Sequence, residues 1–333
     1  MRTRNTTLLW LAAGIGAVAL ARQAIRKRRL FSFQGKTALI TGGSRGLGFE
    51  IAQQLAAAGV RVALCARDIE ELKHAEATLK SQGGEVFILP ADIADRDAVE
   101  SIVRSVTDRF GSIDILINNA GIIGVGPLED MQVEDFEKAM QIHYFGPLYM
   151  TLAALPGMRR QRSGRIVNIA SIGGKISVPH MLPYCGSKFA LVGLSEGMRA
   201  ELQKDGIYVT TVCPGLMRTG GEHHAEFKSD NSADQALFTF GATSPLTSID
   251  VHTAARQIVE ALKYGDAEVI LSLQAQAGAL AHGLFPGLFA DLSGVAARFL
   301  PQSARSAQDS APAIAPGILH ALTGGKSHSA GEQ

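Results

Sequence analysis

A tyrosine and a lysine four residues apart, Tyr184 and Lys188, form a pair of side chains that could exchange a proton. Four residues along a helix bring both side chains to one face. A phenol has an ordinary pKa of about 10, but a neighbouring ammonium favours the phenolate and lowers that pKa. The pair therefore predicts proton transfer to or from a carbonyl or alcohol oxygen. The alternative is a chance pair on an exposed helix, and Ser171, at the end of a predicted strand shortly before, argues against it.

A glycine-rich turn, Thr41-Gly42-Gly43-Ser44-Arg45-Gly46-Leu47-Gly48, lies between a predicted strand and a predicted helix. Glycines let the backbone approach a pyrophosphate at a helix N-terminus, whose N–H groups and dipole favour anions. No Gly-Lys-Ser/Thr is present in this turn, so a Walker-type nucleotide triphosphatase is disfavoured. The turn predicts a dinucleotide site. Its expected contacts are Gly42, Ser44, Arg45, Gly46, Leu47 and Gly48.

The predicted second strand ends in Cys65-Ala66-Arg67. Proteins that bind an unphosphorylated ribose usually place an acidic residue there to accept from the 2′-hydroxyl, and Ala66 stands at that position. Arg67 and Arg45 carry guanidinium groups whose paired donors match a phosphate. The pattern favours NADP(H) over NAD(H). The alternative is that both arginines are solvated loop residues.

Short apolar runs alternate with segments of helical periodicity from Gly35 onward. This alternation predicts an α/β fold, a Rossmann-type doubly wound parallel sheet in a single domain over residues 31–271. The predicted strands are Thr37–Thr41, Val60–Cys65, Val86–Leu89, Ile115–Ile117, Arg165–Ile169, Tyr208–Cys213 and Glu268–Leu271. The predicted helices are Gly46–Ala58, Ile69–Ser81, Asp97–Phe110, Val133–Arg159, Pro183–Lys204 and Ile249–Tyr264.

Six motifs along the chain resemble those of the short-chain dehydrogenase/reductase family. They are Thr41–Gly48, Asp92, Asn118-Asn119-Ala120-Gly121, Ser171, Tyr184-x-x-x-Lys188 and Pro214-Gly215. Each follows a predicted strand or lies on the next helix, and together they cover roughly Gly35 to Leu271. The resemblance implies an NADP(H)-dependent oxidoreductase that interconverts a carbonyl and an alcohol, using the pro-S face of the nicotinamide.

The resemblance also implies roles for single residues. Lys188 holds the nicotinamide ribose, Ser171 hydrogen-bonds the substrate oxygen, and Tyr184 exchanges the proton. Further cofactor contacts are implied for Asp92 and Ile93 at the adenine, for Asn119, Ala120 and Gly121 on the adenosine side, and for Pro214, Gly215, Leu216 and Thr219 beside the nicotinamide carboxamide. Family members form homodimers or homotetramers through the helices that correspond to Val133–Arg159 and Pro183–Lys204.

One position departs from the family's pattern. The family has Asn in Met-x-x-Asn-x-x-Gly-Pro, where this sequence places His143 in the run from Met140 to Pro147. The family's Asn stabilises a backbone distortion that binds a water linking the lysine to solvent. Imidazole can also donate and accept hydrogen bonds, but it is bulkier and titrates near neutrality. Three interpretations are open: His143 replaces the asparagine without loss of function, it slows the proton relay, or it abolishes catalysis. Our hypothesis is that His143 replaces the asparagine without loss of function.

The positive charge is concentrated at one end of the chain. Residues 1–30 hold seven basic and no acidic residues, which leaves 25 basic against 31 acidic residues elsewhere. An acidic body argues against a nucleic-acid-binding protein. The uncharged run Thr6–Ala21 would span about 24 Å as a helix between basic flanks. It predicts a membrane anchor with the catalytic domain in the cytoplasm; an interfacial or buried amphipathic helix is the alternative.

The last part of the chain divides into an apolar extension, residues 272–301, and a tail, 302–333, whose composition predicts flexibility. The extension is either a dimer or core surface, or a hydrophobic lid near a bilayer that admits a lipophilic ketone or alcohol. The loop Met217–Leu246 is expected to set substrate selectivity. Neither its adjacent histidines nor the three widely spaced cysteines show metal-ligand spacing, so no metal is expected.

Three functions stay open at this point. The leading prediction is carbonyl–alcohol interconversion on a lipophilic substrate of lipid, steroid, retinoid or acyl type. A non-catalytic NADP(H)-binding sensor or scaffold is the first rival, and tight NADPH binding without turnover of ketones or aldehydes would favour it. A 3-oxoacyl-thioester reductase is the second rival, which the predicted anchor disfavours.

Overall fold

The computed structural model describes residues 20–218, 225–228 and 248–301, with the isolated positions 14, 16, 17, 235 and 239. Within these residues, seven parallel strands form one sheet in the spatial order β11-β7-β6-β4-β1-β2-β3. Their bounds are β1 Thr37–Thr41, β2 Arg61–Ala66, β3 Val86–Pro90, β4 Ile115–Asn118, β6 Gly164–Ile169, β7 Ile207–Pro214 and β11 Glu268–Leu271. The predicted α/β fold is confirmed.

The strand order reverses between β1 and β4. The chain runs outward through β1, β2 and β3, then crosses back to place β4 on the other side of β1. In an open parallel sheet, ligands bind outside the carboxyl ends of the strands at such a reversal. The turn after Thr41 and the loop after Asn118 therefore face each other at the edge where the predicted site residues lie.

Helices cover both faces of the sheet. Their bounds are α1 Gly46–Ala57, α2 Ile69–Ser81, α3 Arg96–Phe110, α4 Val133–Met140, α5 Gly146–Gln161, α6 Leu182–Leu202, α7 Val251–Tyr264, α8 Leu273–Leu284 and α9 Pro286–Ala297. One apolar core lies between the sheet and α1, α2 and α7, and the other lies mainly under α3 and α5. The inner strands are buried on both sides, as their apolar runs predict, whereas the edge strands β3 and β11 are only partly buried.

The prediction of one helix over Val133–Arg159 is wrong. The segment divides into α4, a π-helical turn over Gln141–Phe145, and α5. In the turn, the Gly146 N–H donates to the Gln141 carbonyl five residues earlier. Pro147 has no N–H, so it cannot make the regular bond to the residue four before it, which is His143. The proline thus explains why the helical ladder changes at this position.

Two short strand pairs lie at the carboxyl edge of the main sheet. β8 (Leu216–Arg218) pairs with β10 (Ser248–Asp250), and β5 (Gly124–Val125) pairs with β9 (Glu226–Phe227). The predicted helix start at Ile249 is therefore two residues early. Asp250 is the N-cap of α7, and its carboxylate accepts from the Thr253 N–H at 3.0 Å.

The apolar extension forms α8 and α9. Leu280, Leu284, Phe285 and Leu288 are each 59–64% exposed, so these side chains do not form core within one chain. Among the described helices, none is by itself long and apolar enough to cross a membrane. α8 and α9 have the length and apolar composition of a membrane-spanning segment only when they are taken together, and the two helices are bent by 118° relative to each other.

The basic segment before the domain docks on it. Residues 20–28 are helical, and Arg26 pairs with Asp266 at 2.9 Å while its guanidinium lies 4.2 Å from the centre of the Tyr264 ring. The Arg29 carbonyl accepts from buried Arg165 at 2.6 Å. Asp266 precedes β11, so this contact lies at the amino edge of the sheet, away from the predicted site.

Several predictions fall wholly or partly outside the described residues. Most of the predicted anchor Thr6–Ala21, the predicted flexible tail 302–333, Thr219 and most of Met217–Leu246 lie there. These stay predictions.

Candidate active site and dinucleotide cleft

One cleft of about 1480 Å³ runs along the carboxyl edge of the sheet. It brings together nearly all the sequence-predicted site residues that the structure describes. Those lining it are Gly42, Ser44, Arg45, Gly46, Leu47, Arg67, Asp92, Ile93, Asn119, Ala120, Gly121, His143, Ser171, Tyr184, Lys188, Pro214, Gly215 and Leu216. Gly48 does not line the cleft; it packs against the Gly42 carbonyl and the Asn119 side chain. The volume is ample for an extended dinucleotide with a substrate beside it.

The glycine-rich turn packs tightly against the loop after β4. Gly42 has φ +63°, and a Cβ there would lie 2.8 Å from the Ala120 Cα. A Cβ on Gly48 would collide with the Gly42 carbonyl oxygen. These two glycines are therefore required by backbone packing. Within the described chain, the Arg45 side chain does not cap α1, so the N–H groups of that helix's first turn remain for an anion.

Asn119 ties the two loops together. Its side-chain amide donates to the carbonyls of Thr41 at 3.1 Å and Gly42 at 2.9 Å, and the Thr41 hydroxyl accepts from the Asn119 and Ala120 N–H groups. Asp92 accepts from the Ala94 N–H at 2.9 Å, which shapes the turn after β3. The asparagine thus holds these two loops together, besides lining the cleft where the sequence predicts a cofactor contact.

The arginines expected at the 2′-phosphate occupy one end of the cleft. Arg67 is exposed, and Arg45 pairs with Glu71 at 3.0 Å. The Ser44 hydroxyl donates to the other Glu71 oxygen at 2.8 Å. Glu71 was not among the predicted residues, because its role depends on the approach of α2 to the glycine-rich turn. Two arginines and one carboxylate therefore lie at the end of the cleft where the sequence predicts the ribose of the dinucleotide.

Ser171, Tyr184 and Lys188 meet at the other end of the cleft. Ser171 follows β6 and accepts from the Gly173 N–H at 3.0 Å. Its side chain and that of Tyr184 both lie beside Gly173, where an added Cβ would be 3.4 Å from the Ser171 Oγ and 3.1 Å from the Tyr184 Cε1. Lys188 is 4% exposed and donates to the Ile169 carbonyl at 2.8 Å. Its Nζ lies 5.8 Å from the centre of the Tyr184 ring. The expected grouping of the three side chains is present.

Burial shifts the pKa of both Tyr184 and Lys188. The pKa of Tyr184 is raised to about 12, mainly because burial disfavours the phenolate, while the neighbouring Ser171 side chain opposes this. The pKa of Lys188 falls to about 7 because burial disfavours the ammonium. The Tyr184 side chain is half-buried and lines the cleft. In this arrangement Lys188 donates to the Ile169 carbonyl and burial dominates, so the lowering of the Tyr184 pKa expected from the sequence is not seen; a stabilising effect of Lys188 on the phenolate during the reaction stays a prediction.

His143 occupies the π-helical turn and is 1% exposed. Its Nε2 accepts from the Ile122 N–H at 3.0 Å, so Nδ1 carries the proton of a neutral ring and donates to the Ser187 Oγ at 2.7 Å. Ser187 donates onward to the Tyr184 carbonyl at 2.8 Å. Burial and then the Lys188 charge hold the pKa of His143 well below its usual value. The imidazole therefore links the loop after β4 to α6 as a neutral group.

This geometry predicts that His143 can take the place of the family's Asn without loss of catalytic activity. We expect the kcat/KM of His143→Asn to stay within about fivefold of wild type between pH 5 and 8, since both side chains can bridge by hydrogen bonds. His74→Asn, an exposed change on α2, is the control. A gain of more than tenfold at every pH would contradict the hypothesis and identify the histidine as a defect.

The buried neutral imidazole also predicts a pH dependence of stability. Because the folded-state pKa is depressed, the unfolded chain binds the proton first as the pH falls below about 6.5. Wild type should then lose free energy of unfolding, at most about 1.4 kcal/mol per pH unit from this group. His143→Asn should lose less over the same window in urea titrations at pH 7 and pH 5. Equal losses in the two proteins would contradict a neutral His143.

Comparison with known proteins agrees with the geometry. The profile of the short chain dehydrogenase family matches residues 36–229. The chain belongs to the short-chain dehydrogenase/reductase family. It is therefore an oxidoreductase of a family that acts on CH–OH groups. Dehydrogenase/reductase SDR family member 7B from Mus musculus is 37% identical over 220 residues, 65% of this chain and 68% of the relative.

Two further similarities bear on the chemistry of such short-chain dehydrogenases/reductases. The granaticin polyketide synthase putative ketoacyl reductase 1 of Streptomyces violaceoruber is 34% identical over 254 residues, 74% of this chain and 92% of the relative. A crystal structure of a single-site variant of actinorhodin polyketide ketoreductase with NADPH has a TM-score of 0.64 and 32% identity, covering 71% of this chain and 95% of that one. A crystal structure of a short-chain dehydrogenase/reductase from Burkholderia phymatum in complex with NAD has a TM-score of 0.73 and 24% identity. The similarity covers 78% of this chain and 96% of that one, and it supports the fold alone.

Sequence reasoning missed three residues of the site besides Glu71. Ser187 lies between Tyr184 and Lys188 in the sequence. Its hydroxyl connects His143 to the Tyr184 carbonyl on α6. Ile169 supplies the carbonyl that holds Lys188, and Leu300 reaches the cleft from the apolar extension. The position of Ser187 three residues after Tyr184 was a usable signal, since that spacing stays on one helical face.

Proposed function

We propose that this short-chain dehydrogenase/reductase interconverts a carbonyl and a secondary alcohol with NADP(H), acting on a lipophilic substrate. The observation that carries the proposal is the grouping of Ser171, Tyr184 and Lys188 at one end of a cleft whose other end holds Arg45 and Arg67. The NADPH in the actinorhodin ketoreductase structure supports the cofactor, and the ketoacyl reductase relative supports carbonyl chemistry.

The chain's own groups suit proton delivery to a carbonyl oxygen. The bound nicotinamide would supply the hydride. Tyr184, protonated at neutral pH because of its raised pKa, donates its hydroxyl proton to the developing alkoxide. Ser171 holds the same oxygen by a hydrogen bond. Lys188 places a positive charge near the phenolate left behind, which stabilises it and in turn favours the ammonium.

The two arginines are the proposed basis of the NADP(H) preference. We expect Arg67→Gln to lower kcat/KM for NADPH about tenfold or more, because one phosphate-binding guanidinium is lost, and to change the value for NADH less than twofold. Arg104→Gln, on α3 and outside the cleft, is the matched control. An equal decrease for both cofactors would contradict the proposed role of Arg67.

The lipophilic substrate is proposed from the apolar extension. α8 packs near the nicotinamide end, since a Cβ on Gly215 would lie 3.4 Å from the Ala275 Cβ. Leu300 lines the cleft, and the exposed side chains of α8 and α9 are available for a membrane surface or a second copy of the chain. We retain as proposals a membrane anchor at residues 6–21 with the domain on the cytoplasmic side, and a homodimer or homotetramer.

A screen of NADPH consumption tests the function. Detergent-solubilised full-length protein is supplied with steroid, retinoid, acyl-thioester and quinone carbonyls, and we expect turnover of at least one lipophilic class. Preference for a 3-oxoacyl thioester would instead favour the second candidate, which the similarity to the granaticin ketoacyl reductase supports. Tight NADPH binding without any turnover would overturn the proposal in favour of a sensor or scaffold.

A further inference from the structure

A carboxylate faces the arginine end of the cleft. Glu71 lies in the first turn of α2 and lines the cleft. One of its oxygens accepts from the Ser44 hydroxyl at 2.8 Å, and the other accepts from the Arg45 guanidinium at 3.0 Å. Both donors belong to the glycine-rich turn, so one acidic side chain engages two of the residues expected to bind the cofactor.

The same two donors are what a phosphate on the ribose would need. A phosphate group carries about −1.5 to −2 charges at neutral pH, so placing it beside Arg45 and Ser44 brings it against the Glu71 carboxylate. Like charges at such separations repel, most strongly at low ionic strength. A 2′-hydroxyl meets no such repulsion, and carboxylates are its usual acceptors. Ala66, at the end of β2, provides no carboxylate.

We infer that Glu71 is a specificity-determining residue that opposes the 2′-phosphate and thereby lets this enzyme accept NAD(H) beside NADP(H). The inference rests on the proposed function. Arg45 and Arg67 attract the phosphate, whereas Glu71 repels it and occupies Arg45. Glu71 thereby reduces the advantage that the two arginines give to the phosphorylated cofactor.

The neighbouring residue provides a matched control. Glu70 is also in the first turn of α2, but its carboxylate pairs with Lys73 at 2.8 Å and is 76% exposed. It does not line the cleft. Glu70→Gln therefore makes the same change of charge on the same helical turn without touching the glycine-rich turn.

The direct test measures binding without turnover. Isothermal titration of the full-length, detergent-solubilised protein with 2′,5′-ADP and with 5′-AMP compares wild type, Glu71→Gln and Glu70→Gln. We expect Glu71→Gln to bind 2′,5′-ADP about fivefold more tightly, 5′-AMP within twofold of wild type, and Glu70→Gln to match wild type. The gain should shrink in 0.5 M NaCl, where the Debye length is only about 4 Å.

Two results would overturn the inference. Unchanged affinity for 2′,5′-ADP would mean that Glu71 does not oppose the phosphate, and weaker binding would mean that it positions Arg45 for the phosphate. Glu71→Ala is the second variant if Glu71→Gln does not fold, with the same expectation. Failure of the proposed function looks different: nucleotides bind with the expected pattern, but no carbonyl is turned over.

Discussion

Tyr184→Phe is expected to lower kcat for carbonyl reduction by about 10³-fold or more, the upper range for a positioned general acid. The change removes only the hydroxyl, whose pKa the neighbouring Ser171 side chain lowers. The ring keeps its edge-on packing against His143, whose centre lies 5.5 Å away. The loss should therefore appear in the single-turnover rate of NADPH oxidation at 340 nm, with the affinity for NADPH changed less than threefold.

Tyr149→Phe is the matched control for this substitution. It removes the same group from α5, where the ring packs 6.0 Å from that of Phe145 and does not line the cleft. Its kcat should equal that of wild type. Turnover of a verified substrate by Tyr184→Phe at the wild-type rate would show that another group delivers the proton.

Ser171→Ala is expected to lower kcat by about 10²-fold, in the range of losing one donor to a developing oxyanion. The KM should change much less, because the hydrogen bond strengthens as charge develops on the oxygen. Ser171 Oγ also accepts from the Gly173 N–H, so a fall of about 1 kcal/mol in the free energy of unfolding is expected as well.

Two measurements separate the catalytic part from the structural part. Ser112→Ala removes a hydroxyl at the opposite edge of the sheet, where it donates to Asp114 at 3.2 Å, and should leave kcat unchanged. Ser171→Thr restores a hydroxyl and should recover part of the rate. A Ser171→Ala protein that unfolds earlier but retains full kcat would restrict this serine to a structural role.

The sequence predicted most of the sheet and the site because their signals are local. Runs such as Thr37–Thr41 have an apolar or β-branched residue at every position, so the composition predicts their bounds. Parallel strands then bring the residues that follow them to one edge. The bonds of Asn119 to Thr41 and Gly42 show how closely the loops after β1 and β4 then approach.

The remaining features depend on the approach of distant segments. Glu71 and Ser44 are 27 residues apart, and their contact follows only from the packing of α2 beside the glycine-rich turn. The division of the helix at Gln141–Phe145 has a local cause, because Pro147 has no N–H to donate. The helical periodicity of apolar residues does not reveal this missing donor. The Tyr184 pKa depends on burial and on where Lys188 points, which no spacing specifies.

The central claim is that the positive charge of Lys188 stabilises the phenolate form of Tyr184. The pH dependence of alcohol oxidation tests this claim most directly. Oxidation requires Tyr184 to lose its proton, so kcat/KM should rise with pH through the operative pKa of that group. Lys188→Met removes the positive charge and should move this rise upward by at least about one pH unit, as well as lowering its height. Superimposable profiles for wild type and Lys188→Met between pH 6 and 10.5 would contradict the account.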